Sequence, residues 1–198
     1  KAAARAAWKG SGQKASEEIW FDLAEANGST EFTGYGATAG EGQVIALVKD
    51  GVPVGEAKAG DELVVLTNQT PFYGESGGQM GDAGTIATLE GAKASVSDTG
   101  KPLGRLHAHQ AKLEAGSLKV GDTVQLTVDA ERRDRIRANH SATHLLHAGL
   151  RNRLGGHVTQ KGSLVAEDRF RFDFSHPKAL TPEEIADVEA EVNAQIRG

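Results

Sequence analysis

Two histidines, His140 and His144, stand four residues apart in a stretch whose pattern predicts a helix. Residues i and i+4 of an α-helix lie one turn apart on the same face, so both imidazoles could reach one cation. A zinc protease would carry glutamate after the first histidine, and Ser141 at that position excludes this class. Two histidines make half of a tetrahedral site, and the spacing alone is compatible with a metal pair or with structural histidines beside a core.

Two further segments carry side chains suited to binding. The run TPFYGESGGQMGD, residues 70–82, combines glycines, aromatics and acids, as in backbone held close to a ligand or in a glycine-rich barrel turn. It has neither the Walker nor the Rossmann spacing, which leaves nucleotide binding weakly supported. The run VTQKGSLV, residues 158–165, brings Thr159, Gln160 and Ser163 onto a predicted strand, where they could face a polar ligand or solvent.

The elements that must position these residues change along the chain. Short apolar strands separated by glycine turns fill most of residues 32–128, which predicts a small closed or nearly closed β-barrel. Helical periodicity then runs from Ala130 to about Leu154, followed by a predicted hairpin and a last helix capped by Thr181. The sequence predicts a mixed α and β fold with these parts: a linker and first helix over 1–30, a Gly-rich β-barrel over 31–129, and the truncated start of an α+β domain over 130–198.

Composition excludes several classes of protein. The chain has no Cys, which excludes a disulfide framework, a thiol nucleophile and an all-thiolate metal site. No window approaches the roughly 18 apolar residues of a membrane span, so we expect a cytoplasmic protein without a membrane partner. The net charge is −5, yet residues 131–153 carry a surplus of arginine, which suits an anionic partner or a solvated helix face. Because the chain starts at Lys1 rather than Met, we expect a piece of a longer protein.

Taken together and in this order, these segments resemble the alanyl-tRNA synthetase family, which belongs to the class II aminoacyl-tRNA synthetases. The resemblance covers nearly the whole chain. Free-standing editing proteins share the Gly-rich and HxxxH segments, whereas the helix around Trp20 resembles the full synthetase. The matching stretches are TPFYGESGGQMGD (70–82), ERRDRIRANHSATHLLHAGLR (131–151) and VTQKGSLVAEDRFRFDFSH (158–176), with FTGY (32–35) and GQVIALVKDG (42–51) upstream.

The resemblance implies a proofreading role. The family's editing domain hydrolyses the ester that links a wrong amino acid, Ser or Gly, to alanine tRNA, and it holds zinc through HxxxH and a later CxxxH. Here His140 and His144 match the first pair, and this chain has no match to the second, so it would hold a zinc half-site. Gln160 matches a residue of the family's pocket, with Thr159 and Ser163 beside it.

The same resemblance implies which residues would face the editing cleft and which would contact tRNA. The GGQ run of Gly77, Gly78 and Gln79 would face the editing cleft. Four arginines would contact acceptor-stem phosphates of alanine tRNA, with affinity that falls as salt rises; they are Arg132, Arg133, Arg135 and Arg137.

The catalytic domain of the parent ligase, with its ATP and magnesium site, would lie upstream of this chain. We therefore expect the isolated chain neither to aminoacylate nor to bind ATP, and to hydrolyse mischarged tRNA little, because half of the metal ligands are missing. The alternatives are a non-catalytic β-barrel module that binds tRNA and a free-standing mischarged-tRNA deacylase. The sequence defines no oligomeric state.

Overall fold

The computed structural model describes residues 12–197, with side chains from Glu17 onward. This part of the chain divides into two compact units. The barrel unit contains the described residues up to Ser76 together with Gly81–Asp129. The histidine unit contains Gly77–Met80 together with the described residues from Ala130 onward. Residues Gly77–Met80 of the Gly-rich run, called the Gly-rich segment below, thus belong to the unit that carries the HxxxH helix.

The core of the barrel unit is a closed antiparallel barrel of six strands. Their order is β11 (Thr123–Val128), β7 (Gly84–Ala87), β8 (Lys93–Gly100), β9 (Ala108–Ala115), β5 (Glu62–Thr67) and β2 (Ala39–Lys49), and pairing of β11 with β2 closes the barrel. This confirms the predicted mixed fold with a β-barrel. The elements of the unit are α1 (Gly12–Asn27), β1 (Glu31–Phe32), β2 (Ala39–Lys49), β3 (Val52–Val54), β4 (Glu56–Lys58), β5 (Glu62–Thr67), β6 (Gln69–Thr70), β7 (Gly84–Ala87), β8 (Lys93–Gly100), a 3₁₀ turn (Pro102–Gly104), β9 (Ala108–Ala115), β10 (Ser117–Lys119) and β11 (Thr123–Val128).

Alternating side chains explain why these short segments close into a barrel. Along β11, every second residue is buried, so one face of the strand fills the interior while the other meets solvent. Strand β2 is long enough to pair with β11 through its first half and with β3 through its second half, while β5 pairs along its other edge. The β2–β3 hairpin turns at Asp50-Gly51, both with positive φ, as the Asp-Gly pair predicts.

Helix α1 packs on the outside of the barrel. Its apolar stripe of Ile19, Trp20, Leu23 and Ala24 covers a second cluster of apolar side chains that includes the fully buried Leu66. The interior of the barrel is filled mainly by a separate apolar cluster, and the helix buries part of the outer face.

Gly84 in β7 offers a direct test of how tightly the barrel is packed. A Cβ at this position would overlap the carbonyl oxygen of Thr127 and lie 2.9 Å from the ring of Phe72. We expect Gly84→Ala to lower the free energy of unfolding by about 2–3 kcal/mol, because a close-packed core cannot make room for the methyl group. Gly100→Ala in β8 is the matched control, since nothing lies within 4 Å of its Cβ. Urea unfolding measures both, and equal losses would contradict this packing.

The histidine unit consists of two helices and a hairpin. Helix α2 (Ala130–Leu154) ends just before Gly155, which has a φ of +113°, as the glycine pair after the helical pattern predicts. Helix α3 (Pro182–Arg197) starts with a capping box, in which the Glu184 amide donates to Thr181 Oγ1 and the Thr181 amide donates to Glu184 Oε2. The elements are α2 (Ala130–Leu154), β12 (Gln160–Val165), β13 (Phe170–Phe174) and α3 (Pro182–Arg197).

Candidate functional site

Helix α2 places His140 and His144 side by side, as their spacing predicts. Their Nε2 atoms are 2.9 Å apart and their ring centroids 4.8 Å apart. The helix is fixed to the hairpin by Asn139, whose side-chain amide donates to the carbonyl oxygens of Ala166, at 2.8 Å, and Glu167. The two imidazoles therefore converge on a single point from a helix that is anchored next to them.

A small cavity of about 100 Å³ opens at this pair of histidines. Of the predicted site residues, Gln160, Ser163 and Gly77 line it together with the two histidines. The complete lining is Gly77, His140, Thr143, His144, His147, Gln160, Ser163, Val165 and Phe172. The cavity has room for only a few waters, or for a group of the size of a small amino acid.

Gln160 reaches the cavity through an irregularity in the hairpin. The register of β12 and β13 shifts between Gln160 and Gly162, where a bulge interrupts the regular alternation of side chains. Thr159 does not line the cavity, because its hydroxyl hydrogen-bonds to that of Ser175 at 2.8 Å. The structure therefore brings together Gln160 and Ser163 of the three predicted pocket residues on this strand.

Four residues of the cavity wall were not predicted as site residues: the polar Thr143 and His147, and the apolar Val165 and Phe172. Thr143 is buried and donates its hydroxyl proton to the carbonyl oxygen of Asn139 at 2.8 Å. His147 packs against Phe172, with ring centroids 5.0 Å apart, and its buried Nε2 has no hydrogen-bond partner among the described residues. The position of His147 on the same helix, two turns after His140, is the sequence signal from which it could have been predicted.

The Gly-rich segment forms one side of the site. Gln79 forms an isolated parallel bridge with Val165, and its side-chain Oε1 lies 2.7 Å from His140 Nδ1. Gly77 and Gly78 both have positive φ, and a Cβ on Gly78 would overlap the carbonyl oxygen of Ser163. Only glycine allows the segment to lie this close to β12.

A second histidine pair lies outside the cavity. His157 Nε2 and His176 Nδ1 are 2.8 Å apart and the rings stack, a contact that the sequence spacing did not predict. Two larger cavities, of about 830 Å³ in the barrel unit and about 580 Å³ in the histidine unit, bring no such cluster of histidines to one point. The cavity beside His140 therefore remains the candidate site.

Residues 1–132 match the family model described as tRNA synthetases class II (A). The chain belongs to this family. The resemblance found in the sequence motifs is thereby confirmed at the level of the class II synthetases.

Proteins named alanine–tRNA ligase are similar to the whole of this chain. The protein from Sphingopyxis alaskensis is 89% identical over 198 residues, and that from Rhizorhabdus wittichii is 71% identical over 197 residues. The protein from Parvibaculum lavamentivorans is 58% identical over 194 residues, which are 98% of this chain. The chain spans 22% of the length of each of these relatives. These names confirm the resemblance to the alanyl-tRNA synthetases in particular.

The donors at His140 and His144 fit half of a tetrahedral zinc site of the kind that the resemblance implies. Two nitrogens bound to one zinc lie about 3.3 Å apart at ordinary Zn–N bond lengths. The two Nε2 atoms are 2.9 Å apart, so the imidazoles would have to move apart only slightly to bind one zinc ion. No group of three or more His, Cys, Asp or Glu side chains is placed to hold a metal within residues 12–197. The chain thus offers two imidazole ligands at one point.

The four arginines predicted for this synthetase segment lie in different environments. Arg133 is buried, and Arg132 pairs with Glu167 at 2.6 Å with only 11% of its side chain exposed. Arg135 and Arg137 are open to solvent, with 53% and 69% of their side chains exposed. Phosphate contact by all four stays a prediction, and the two exposed side chains are the better placed for it. None of the helices that the structure describes is long and apolar enough to cross a membrane.

Proposed function

We propose that this chain supplies part of the editing site of an alanyl-tRNA synthetase, which hydrolyses the ester linking Ser or Gly to alanine tRNA. The parent enzyme attaches alanine to its tRNA with ATP and magnesium, at a site outside this chain, and acts in the cytoplasm. The high identity to proteins named alanine–tRNA ligase supports this assignment.

One observation carries the proposal: His140 and His144 converge at a small cavity that Gln160 and Ser163 also line. A pair of metal-ligating nitrogens, an amide and a hydroxyl at one point are the groups that binding and hydrolysis of a small aminoacyl ester require.

His140 and His144 would hold a zinc ion, which would polarise an ester carbonyl or lower the pKa of a bound water. Hydrolysis forms a bond from the water oxygen to the carbonyl carbon and breaks the bond to the ribose oxygen, which takes up a proton. Gln160 and Ser163 would hydrogen-bond the polar groups of the aminoacyl moiety and orient it. The residues of this chain therefore bind and position the ester.

The size and polarity of the cavity suit small amino acids. Its volume of about 100 Å³ is of the size that a small aminoacyl group would need. The amide of Gln160 and the hydroxyl of Ser163 can hydrogen-bond a serine hydroxyl, which the methyl group of alanine cannot replace. Rejection of alanine would follow because these polar groups, once a bound aminoacyl group displaced their water, would find no partner in its methyl group.

Arg135 and Arg137 are expected to contribute to affinity for tRNA. We expect Arg135→Gln and Arg137→Gln each to reduce the slope of log affinity against log salt by about one, since each removes one phosphate contact. Fluorescence anisotropy with an RNA hairpin that carries the acceptor stem of alanine tRNA measures this. Arg105→Gln, at an exposed arginine of the barrel unit, is the matched control. Unchanged slopes in both variants would contradict the contact.

The metal part of the proposal is tested by zinc content. We compare this chain with a chimaeric synthetase in which it replaces the matching 198 residues of the Sphingopyxis alaskensis relative. We expect one tightly bound zinc per chimaera, lost in His140→Ala, and weaker binding to this chain alone because it offers two ligands instead of four. His157→Ala, in the second histidine pair, serves as the control. A chimaera without zinc, or with zinc that His140→Ala does not remove, would exclude this metal site.

A further inference from the structure

Gln79 contacts a proposed metal ligand, and the proposed function does not use it. Its Oε1 lies 2.7 Å from His140 Nδ1, the ring nitrogen that faces away from His144. The opposite ring nitrogen of His140, Nε2, is the one that lies 2.9 Å from His144. One imidazole therefore has an amide on one side and the paired histidine on the other.

The backbone of Gln79 is held in place on both sides. The Val165 amide donates to the carbonyl oxygen of Gly78 at 2.8 Å, and the Met80 amide donates to the carbonyl oxygen of Val165 at 3.0 Å. Together with the isolated parallel bridge between Gln79 and Val165, these bonds attach residues 78–80 to β12. Since Gly78 packs directly against the backbone of Ser163, the amide of Gln79 is presented from a fixed position.

This contact selects the proton position on His140. A neutral imidazole has one N–H, and the hydrogen bond at one ring nitrogen decides which nitrogen is protonated. An amide oxygen accepts a hydrogen bond and cannot donate one, so Oε1 next to Nδ1 favours the Nδ1–H tautomer. The lone pair of Nε2 then points at His144. Histidines that bind metals commonly donate their other N–H in this way, which fixes the ring and makes the ligand more basic.

We infer that Gln79 is a positioning residue that keeps His140 in the Nδ1–H tautomer and directs its unprotonated Nε2 toward the point shared with His144. The consequence for metal affinity rests on the zinc site proposed above. The consequence for the tautomer does not, because it concerns the metal-free chain.

The first measurement is the tautomer of His140 in the metal-free chain, from the ¹⁵N chemical shifts of its ring at alkaline pH, where the imidazoles are neutral. We expect the Nδ1–H tautomer in the native chain. In Gln79→Leu, an apolar side chain replaces the amide and the acceptor is lost, so we expect a shift toward the Nε2–H tautomer. Gln79→Glu, which keeps an acceptor, should restore Nδ1–H. An Nε2–H tautomer in the native chain, or no change in Gln79→Leu, would overturn the inference.

The second measurement is zinc affinity of the same variants, made in a His157→Gln background so that the second histidine pair does not contribute. We expect Gln79→Leu to weaken zinc binding about 10- to 100-fold, the range found for partners of metal-ligating histidines, and Gln79→Glu to restore it. Gln125→Leu, at an exposed glutamine of the barrel unit, is the matched control.

The two measurements separate the inference from the proposed function. If zinc affinity depends on His140 but not on Gln79, the inference is wrong and the proposed metal site stands. If zinc affinity does not depend on His140, the proposed metal site is wrong, and the tautomer of His140 alone decides the role of Gln79. Circular dichroism of each variant shows whether the fold is retained.

Discussion

Lowering the pH from about 6.5 to about 4 is expected to destabilise the barrel strongly, through two histidines buried in it. Burial lowers the pKa of His107 to about 4, with a smaller effect from Lys101. Burial also lowers the pKa of His109 to about 4, against a hydrogen bond to the carbonyl oxygen of Val65 that raises it. Both rings therefore stay neutral in the folded protein at pH values where exposed histidines are already protonated.

The direction of the effect follows from proton uptake. In the unfolded chain both histidines have ordinary pKa values near 6.5, so below that pH the unfolded state binds more protons than the folded state. Stability is unaffected well above pH 6.5, falls as the pH drops toward 4, and levels off below that. The shift to about 4 corresponds to roughly 3 kcal/mol for each histidine, which is large against a typical total stability of about 5–15 kcal/mol.

His107→Phe separates the two contributions. The ring of His107 stacks on Phe32, with centroids 5.7 Å apart and planes 4° apart, and its Nδ1 has no hydrogen-bond partner among the described residues. An apolar ring of similar shape should keep the stacking and remove about half of the pH dependence. Urea unfolding at a series of pH values measures the free energy of unfolding. A free energy that stays constant from pH 6.5 to 4, in the native chain, would contradict the buried neutral histidines.

Local patterns in the sequence predicted the elements of the site well. The convergence of His140 and His144 follows from the period of the helix, and the end of that helix at Gly155 follows from the freedom of glycine to adopt positive φ. The short strands predicted for the barrel region are present, and β5 and β11 are examples of short apolar segments between turns. These features depend on residues that are close in sequence.

Contacts between distant segments were beyond prediction from one sequence. The family resemblance implies that Gln79 faces the cleft, but its hydrogen bond to His140 depends on the parallel bridge to Val165. The position of Gln160 at the cavity depends on a register shift in the hairpin, which periodicity alone does not reveal. The burial of Arg133 likewise depends on tertiary packing, since an arginine on a helix is exposed by default.

The central claim, that this chain forms part of an editing site, is tested most directly by the deacylation of serine-charged alanine tRNA. The enzyme is the chimaeric synthetase described above, and the variant carries His140→Ala together with His144→Ala. We expect the deacylation rate to fall about 10³-fold, because loss of the metal removes several kcal/mol of transition-state stabilisation. Alanylation of tRNA with ATP should stay within about twofold, since the proposed alanylation site lies outside this chain.

A matched variant makes the measurement specific. His157→Ala removes one member of the histidine pair outside the cavity and should leave both rates near those of the unmodified chimaera. The account predicts a loss of deacylation confined to the variant at His140 and His144. Deacylation that survives in this variant, in a chimaera that still alanylates, would contradict the assignment of the cavity as an editing site and favour a non-catalytic tRNA-binding role.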